Sequence, residues 1–164
     1  MKKQCMVLLV ENNSGVLARV SSLFMQRGFN IDSLTVSPTE NEKLSRITIM
    51  TTGDQKTFSQ IMKQTSKLVE SKMIFSVEPS FSIIREILIA KFSSHSPDVD
   101  TLKEVISSFG ARTLDMAGGC FVVELTDTPD KIDDFLEAVG TANIVEMCRS
   151  GAIAMERGQV SYEF

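Results

Sequence analysis

A polar stretch, Asn12-Asn13-Ser14-Gly15, separates the apolar run Cys5–Val10 from residues that repeat at helical spacing. Val16, Leu17, Val20, Leu23 and Phe24 fall at i, i+1, i+4, i+7 and i+8, one face of a helix. The first N–H groups of a helix have no intrahelical acceptor and lie at the positive end of its dipole. Glycine at such a start has no side chain to block a close approach. The loop can therefore hold an anion the size of a carboxylate, largely on backbone. The same residue types also serve an ordinary helix start, with Asn13 or Ser14 expected as N-cap. Arg27-Gly28 closes the helix, Gly28 taking the left-handed C′ position. Asn30-Ile31-Asp32 then opens a new strand.

No other part of the chain assembles a reactive set. His95 is the single histidine and sits in a polar loop, where a solvent-facing role is expected. Asp127, Asp130, Asp133 and Asp134 crowd a helix start, where the dipole favours carboxylates, and no apolar pocket separates their acidities for acid–base work. Gly118-Gly119 has neither a following helix nor a lysine, so it reads as a hairpin turn rather than a phosphate cradle. Lys63, Lys67 and Lys72 lie among polar residues and read as a solvated face. Cys5, Cys120 and Cys148 are widely spaced, odd in number and flanked by apolar residues; reduced, buried thiols are expected. Neither a metal constellation nor a thiamine-diphosphate motif is visible.

Composition bounds the class. The 164 residues carry a formal net charge of −4, which argues against a nucleic-acid footprint. Apolar content of 43% and charged content of 23% are those of a globular protein. No apolar run approaches a membrane span. The short positive start Met1-Lys2-Lys3 is followed by an apolar run that Glu11 interrupts too soon for a signal peptide, so a cytoplasmic location is expected.

The elements that must position the loop follow from periodicity. Residues 31–38 and 44–51 alternate as a hairpin. Asp54 caps a helix bearing Phe58, Ile61, Met62, Thr65, Leu68 and Val69 on its inner face. Residues 73–77 form a further strand, closed by Pro79. The order β-α-β-β-α-β then repeats. Ile83–Phe92 is a strand; Ser96 as cap and Pro97 at the first position begin a helix with Val99, Leu102, Val105, Ile106 and Phe109 inside. Strands 111–115 and 120–125 follow, then a helix from Thr128-Pro129 and a strand over 143–148. Residues 152–155 are expected to extend that pairing, and 159–164 to form a polar tail. The class is α+β, with two ferredoxin-like βαββαβ domains in tandem: 1–79, 80–158 and the tail. The sheet face away from the helices has nothing to cover it within a unit, and each unit is short of core, so a cyclic dimer is expected.

An anion site beside amide side chains and an apolar wall suits a small amino acid. Its carboxylate would meet the helix start. Asn12 and Asn30 would supply acceptors for the ammonium or donors for the carboxylate, and Val16, Leu17 and Ile31 would face the side chain. The residues that define this site also carry a resemblance. The run Glu11–Val20, with Leu23-Phe24 and Gln26–Val36, closely resembles the ACT domain that begins the small, regulatory subunits of acetolactate synthase. Leu44–Ile49, Lys67-Leu68-Val69 and Ile144–Gly151 fit the same family.

The resemblance makes the first domain an ACT domain and implies a non-catalytic subunit that pairs side by side through it. It implies a branched-chain amino acid, usually valine, at the ACT–ACT interface, activation of a large catalytic subunit, and feedback inhibition. Thiamine diphosphate, Mg and FAD would belong to that catalytic subunit, and this chain would carry no cofactor. Asn12, Gly15 and Asn30 match family ligand positions, with Ser14, Val16, Leu17 and Ile31 beside them. Ser37 stands where the family has alanine before the strand-ending proline, which bears on inhibitor choice. The rival reading is a free-standing amino-acid sensor that controls transcription or another enzyme. Neither nucleic acid nor membrane is expected as a partner.

Overall fold

The computed structural model describes residues 2–158, and the tail expected over 159–164 lies outside them. Two compact units form. Among the described residues, one comprises 2–83 with 152–158, the other 84–151.

In the first unit, β1 (Lys2–Glu11) pairs antiparallel with β3 (Leu44–Gly53) and with β4 (Ser71–Val77), and β2 (Ser33–Pro38) pairs only with β3. The order β2-β3-β1-β4 leaves β2 and β4 as edges. Helices α1 (Val16–Gln26) and α2 (Gln55–Thr65) cover one face. Strand period two turns Met6, Leu8, Val10, Ile47 and Ile49 to that face, where they meet Val16, Val20, Phe24, Phe58 and Ile61. Asp54 caps α2 as expected, accepting from the Thr57 N–H at 2.9 Å. The hydroxyl and N–H of Thr57 hold its carboxyl below the usual range. The helix stops at Thr65, so Val69, expected on the inner face, lies exposed beyond its end.

The second face of this sheet differs from the expectation of an uncovered surface. Ile47 and Ile49 do lie under the helices, and Cys5, Val7 and Leu9 point the other way and are buried. Residues 152–156 cluster with the first unit and help cover this face. The Ala152 N–H donates to Ser33 Oγ at 3.1 Å, and Arg46 Nη2 donates to the Ala154 carbonyl at 2.6 Å. Strand β9 (Ile153–Glu156) pairs with the strand Ser82–Ser93 and so extends that sheet, as expected, while its residues cluster with the first unit. Burial pushes the Cys5 thiol up to about 12, so it is inert as a nucleophile.

The second unit repeats the topology. β5 (Ser82–Ser93), β6 (Arg112–Ala117), β7 (Cys120–Asp127) and β8 (Ile144–Arg149) order as β6-β7-β5-β8. Helices α3 (Val99–Ser108) and α4 (Pro129–Val139) cover Leu88, Phe92, Phe121 and Val123. Thr128 caps α4 with Pro129 at its first position, as read from sequence. Ser96 does not cap α3: residues 96–99 form a turn and the helix starts after Asp98, which makes no side-chain cap bond. Cys148 lies exposed on β8 and Cys120 is half-buried, so the expectation of buried thiols holds only for Cys5. Among the described residues no helix is long and apolar enough to cross a membrane.

Candidate functional site

The tip of α1 is built differently from an ordinary helix start. Gly15 occupies the N-cap position with φ 85°, a left-handed conformation that favours glycine. No side chain caps the helix, so neither Asn13 nor Ser14 takes the expected role. The Asn13 amide instead donates to Glu11 Oε2 at 3.0 Å. The N–H groups of Ser14, Gly15, Leu17 and Ala18 find no protein acceptor among the described residues, whereas the Val16 N–H reaches Asn13 O at 3.4 Å. The helix end is therefore open to an anion, and a Cβ built on Gly15 would meet nothing within 4 Å.

The predicted site residues surround this tip unequally. Asn12 is anchored to the β2–β3 turn: its N–H donates to Lys43 O at 2.8 Å and its Nδ2 to Glu42 O at 3.0 Å. Ser14 and Leu17 are exposed. The Val16 side chain is in the core at 4% exposure, so it cannot also wall a ligand. Asn30 is exposed; its Nδ2 donates to Asp32 Oδ1 at 2.9 Å, and its carbonyl accepts from Thr51 Oγ1 at 2.7 Å. Both asparagines engage their amide nitrogens with protein oxygens. That favours their side-chain oxygens as acceptors for an ammonium over the alternative role as carboxylate donors. Ile31 packs at the core margin. Ser37 is exposed on the edge strand β2, opposite Arg46.

One chain does not bring all of these together. Asn12 is tied to Lys43 and Asn30 to Thr51, at opposite ends of β3, about 26 Å apart at about 3.3 Å per residue. The end that holds Asn12 also carries a cleft of about 830 Å³, lined by Glu11, Asn12 and Asn13, the turn 41–44, Lys72 and Met73. Residue types mark this turn only as the link within the hairpin 31–38/44–51. Only the register Glu11↔Leu44 brings it beside the loop, and that pairing is not visible in residue types. Asp32, expected only to help open a strand, has its carboxylate beside the Asn30 amide, with Oδ2 accepting from Thr52 Oγ1 at 2.7 Å.

A βαββαβ unit with an uncapped, glycine-started first helix beside an open edge strand is built as an ACT module. Residues 6–71 match the AHAS (acetohydroxyacid synthase) small subunit-like ACT domain, and residues 85–158 match the small subunit of acetolactate synthase. The chain is 39% identical over 157 residues to the acetolactate synthase isozyme 3 small subunit of Escherichia coli, covering 95% of this chain and 96% of that one. It is also 39% identical over 156 residues to a probable acetolactate synthase small subunit of Archaeoglobus fulgidus, covering 95% and 98%. The crystal structure of the acetolactate synthase small subunit from Thermotoga maritima superposes with a TM-score of 0.86 at 32% identity, over 98% of this chain and 100% of that one. The chain belongs to the acetolactate synthase small-subunit family.

Proposed function

We propose that this chain is the regulatory subunit of an acetolactate synthase, activating a large thiamine-diphosphate catalytic subunit and making it sensitive to valine. The observation that carries the ligand is the open tip of α1. Its unpaired N–H groups at Ser14, Gly15, Leu17 and Ala18 suit a free α-carboxylate, and no side chain competes for them.

The separation of Asn12 from Asn30 supports a site shared by two chains. Strand β2 is an edge with unpaired backbone groups. Two copies joined antiparallel through β2 about a two-fold axis would set the start of one β2, at Ser33, beside the end of the other, at Pro38. The Asn30–Asp32 corner of one protomer would then approach the Gly15 tip of its partner. The carboxylate would lie on the helix tip, the ammonium on the oxygens of Asn30 and Asp32, and the aliphatic side chain against Leu17 and Ile31. Ser37, on the same edge, would adjust that wall. An isologous interface repeats the site twice.

Regulation follows if valine stabilises one arrangement of the dimer and the catalytic subunit prefers the other. A coupling of about 1–3 kcal/mol is typical of such control and corresponds to about 5–150-fold. Mixing the chain with its large subunit tests this. Acetolactate formation from pyruvate should rise well above that of the large subunit alone and fall on adding valine, and the chain alone should give no turnover. An unchanged rate in the mixture would refute the regulatory role; turnover by the chain alone would make it an enzyme.

A further inference from the structure

The two helical layers carry opposite charge. Neither α1 nor α2 contains an Asp or Glu, while Arg19, Arg27, Lys56, Lys63 and Lys67 lie on or just beyond them. The helices of the second unit bear Asp100, Glu104, Asp130, Asp133, Asp134 and Glu137 against Lys103 and Lys131. The whole chain is acidic, so the basic layer runs against the overall charge.

Arg19 is paired with Glu70. Arg27, Lys56, Lys63 and Lys67 are exposed and make no ion pair among the described residues. Gln60, Lys63, Gln64 and Lys67 recur at i, i+3, i+4 and i+7, one stripe along α2 and its end. With Arg27 and Ser66 they line a groove of about 420 Å³ that contains no carboxylate. Cations near a helix C-terminus complement its dipole; Arg27 stands at the end of α1 and Lys63 and Lys67 at the end of α2, and the groove gathers both sets.

We propose that this basic groove is the docking surface of the first unit for an acidic surface on the large catalytic subunit. The proposal rests on the regulatory reading above and adds the surface by which the partner is met. In that reading the β2 edge is taken up by the second copy, and the other sheet face is partly closed by residues 152–156. The acidic α3–α4 layer would repel an acidic partner. The helical face of the first unit is the surface left with uncompensated positive charge.

Sedimentation velocity with the full chain and purified large subunit tests it. The wild-type complex should weaken steeply between about 0.1 M and about 1 M salt, where the screening length falls from about 10 Å to about 3 Å. Reversing both charges in Lys63→Glu/Lys67→Glu should weaken the complex at least about tenfold at the lower salt, about 1.4 kcal/mol. Lys63→Gln/Lys67→Gln should fall between. Unchanged valine binding by the isolated double variant would show that it folds. Equal binding of wild type and reversed variant to the large subunit would overturn the docking site and leave the regulatory role intact. Failure of the wild type to bind at either salt would refute that role and the docking site with it. Low-salt self-association abolished by the reversal, with binding to the large subunit unaffected, would show that the groove meets the acidic helices of another copy, and would also overturn the proposal.

Discussion

Replacing Gly15 by aspartate is expected to raise the valine concentration needed for half-inhibition at least about a hundredfold, about 2.7 kcal/mol, while activation of the catalytic subunit is retained. Two effects act together. Gly15 sits at φ 85°, where an L residue is strained by about 1–2 kcal/mol. The surroundings are open, so the aspartate side chain is free to occupy the space in front of the helix tip. Its carboxylate would take the place of the ligand's on the unpaired N–H groups and repel it. Gly15→Asn separates the two effects, because asparagine tolerates the left-handed region and brings no charge. It should lose less sensitivity than the aspartate variant. Inhibition curves of the reconstituted enzyme supply the comparison, and full valine sensitivity in Gly15→Asp would remove the tip of α1 from the site.

The second large effect concerns stability. Glu86 is 4% exposed and forms a two-bond pair with Arg149, Nε to Oε1 and Nη2 to Oε2, each at 2.8 Å. Arg149 Nη1 also donates to Asp133 at 2.7 Å, so one guanidinium joins β5, β8 and α4. Arg149→Leu strands a buried carboxylate and should cost about 3–5 kcal/mol. For a unit of this size that lowers the unfolding midpoint by at least about 12 °C. Glu86→Leu/Arg149→Leu removes both charges and should recover a good part of the loss, because a buried pair is often replaceable by packed apolar groups. A calorimetric scan of the three proteins decides the matter. A midpoint for Arg149→Leu within a few degrees of wild type would mean that water reaches Glu86.

These cases show where residue patterns sufficed. Alternation located β2 and β3, and Asp54 and Thr128 announced α2 and α4 because their side chains make the caps themselves. The start of α1 departs from expectation for the converse reason. Cap rules reward Asn and Ser, and here a glycine conformation begins the helix while the polar side chains bond elsewhere. Residues 152–156 follow β8 closely in sequence, and nothing in Ala-Ile-Ala-Met-Glu says that, besides pairing with β5, they bond to Ser33 and Arg46 of the first unit. Periodicity also identified Val16 as an inner-face residue, which leaves its side chain no part in a pocket wall. The proposed ligand residues were legible as types, but their separation along β3 was not. Only the register shows that Asn12 and Asn30 stand at opposite ends of β3, which in the proposed site would take a second chain to bring together.

Calorimetric titration of the isolated chain with valine, combined with its mass in solution, tests the shared site most directly. The account predicts a dimer that binds valine saturably, with at most one valine per chain, and a Gly15→Asp variant that remains dimeric but gives no heat of binding at the same concentrations. A monomer that binds valine with full affinity, or a dimer that takes up none, would contradict it.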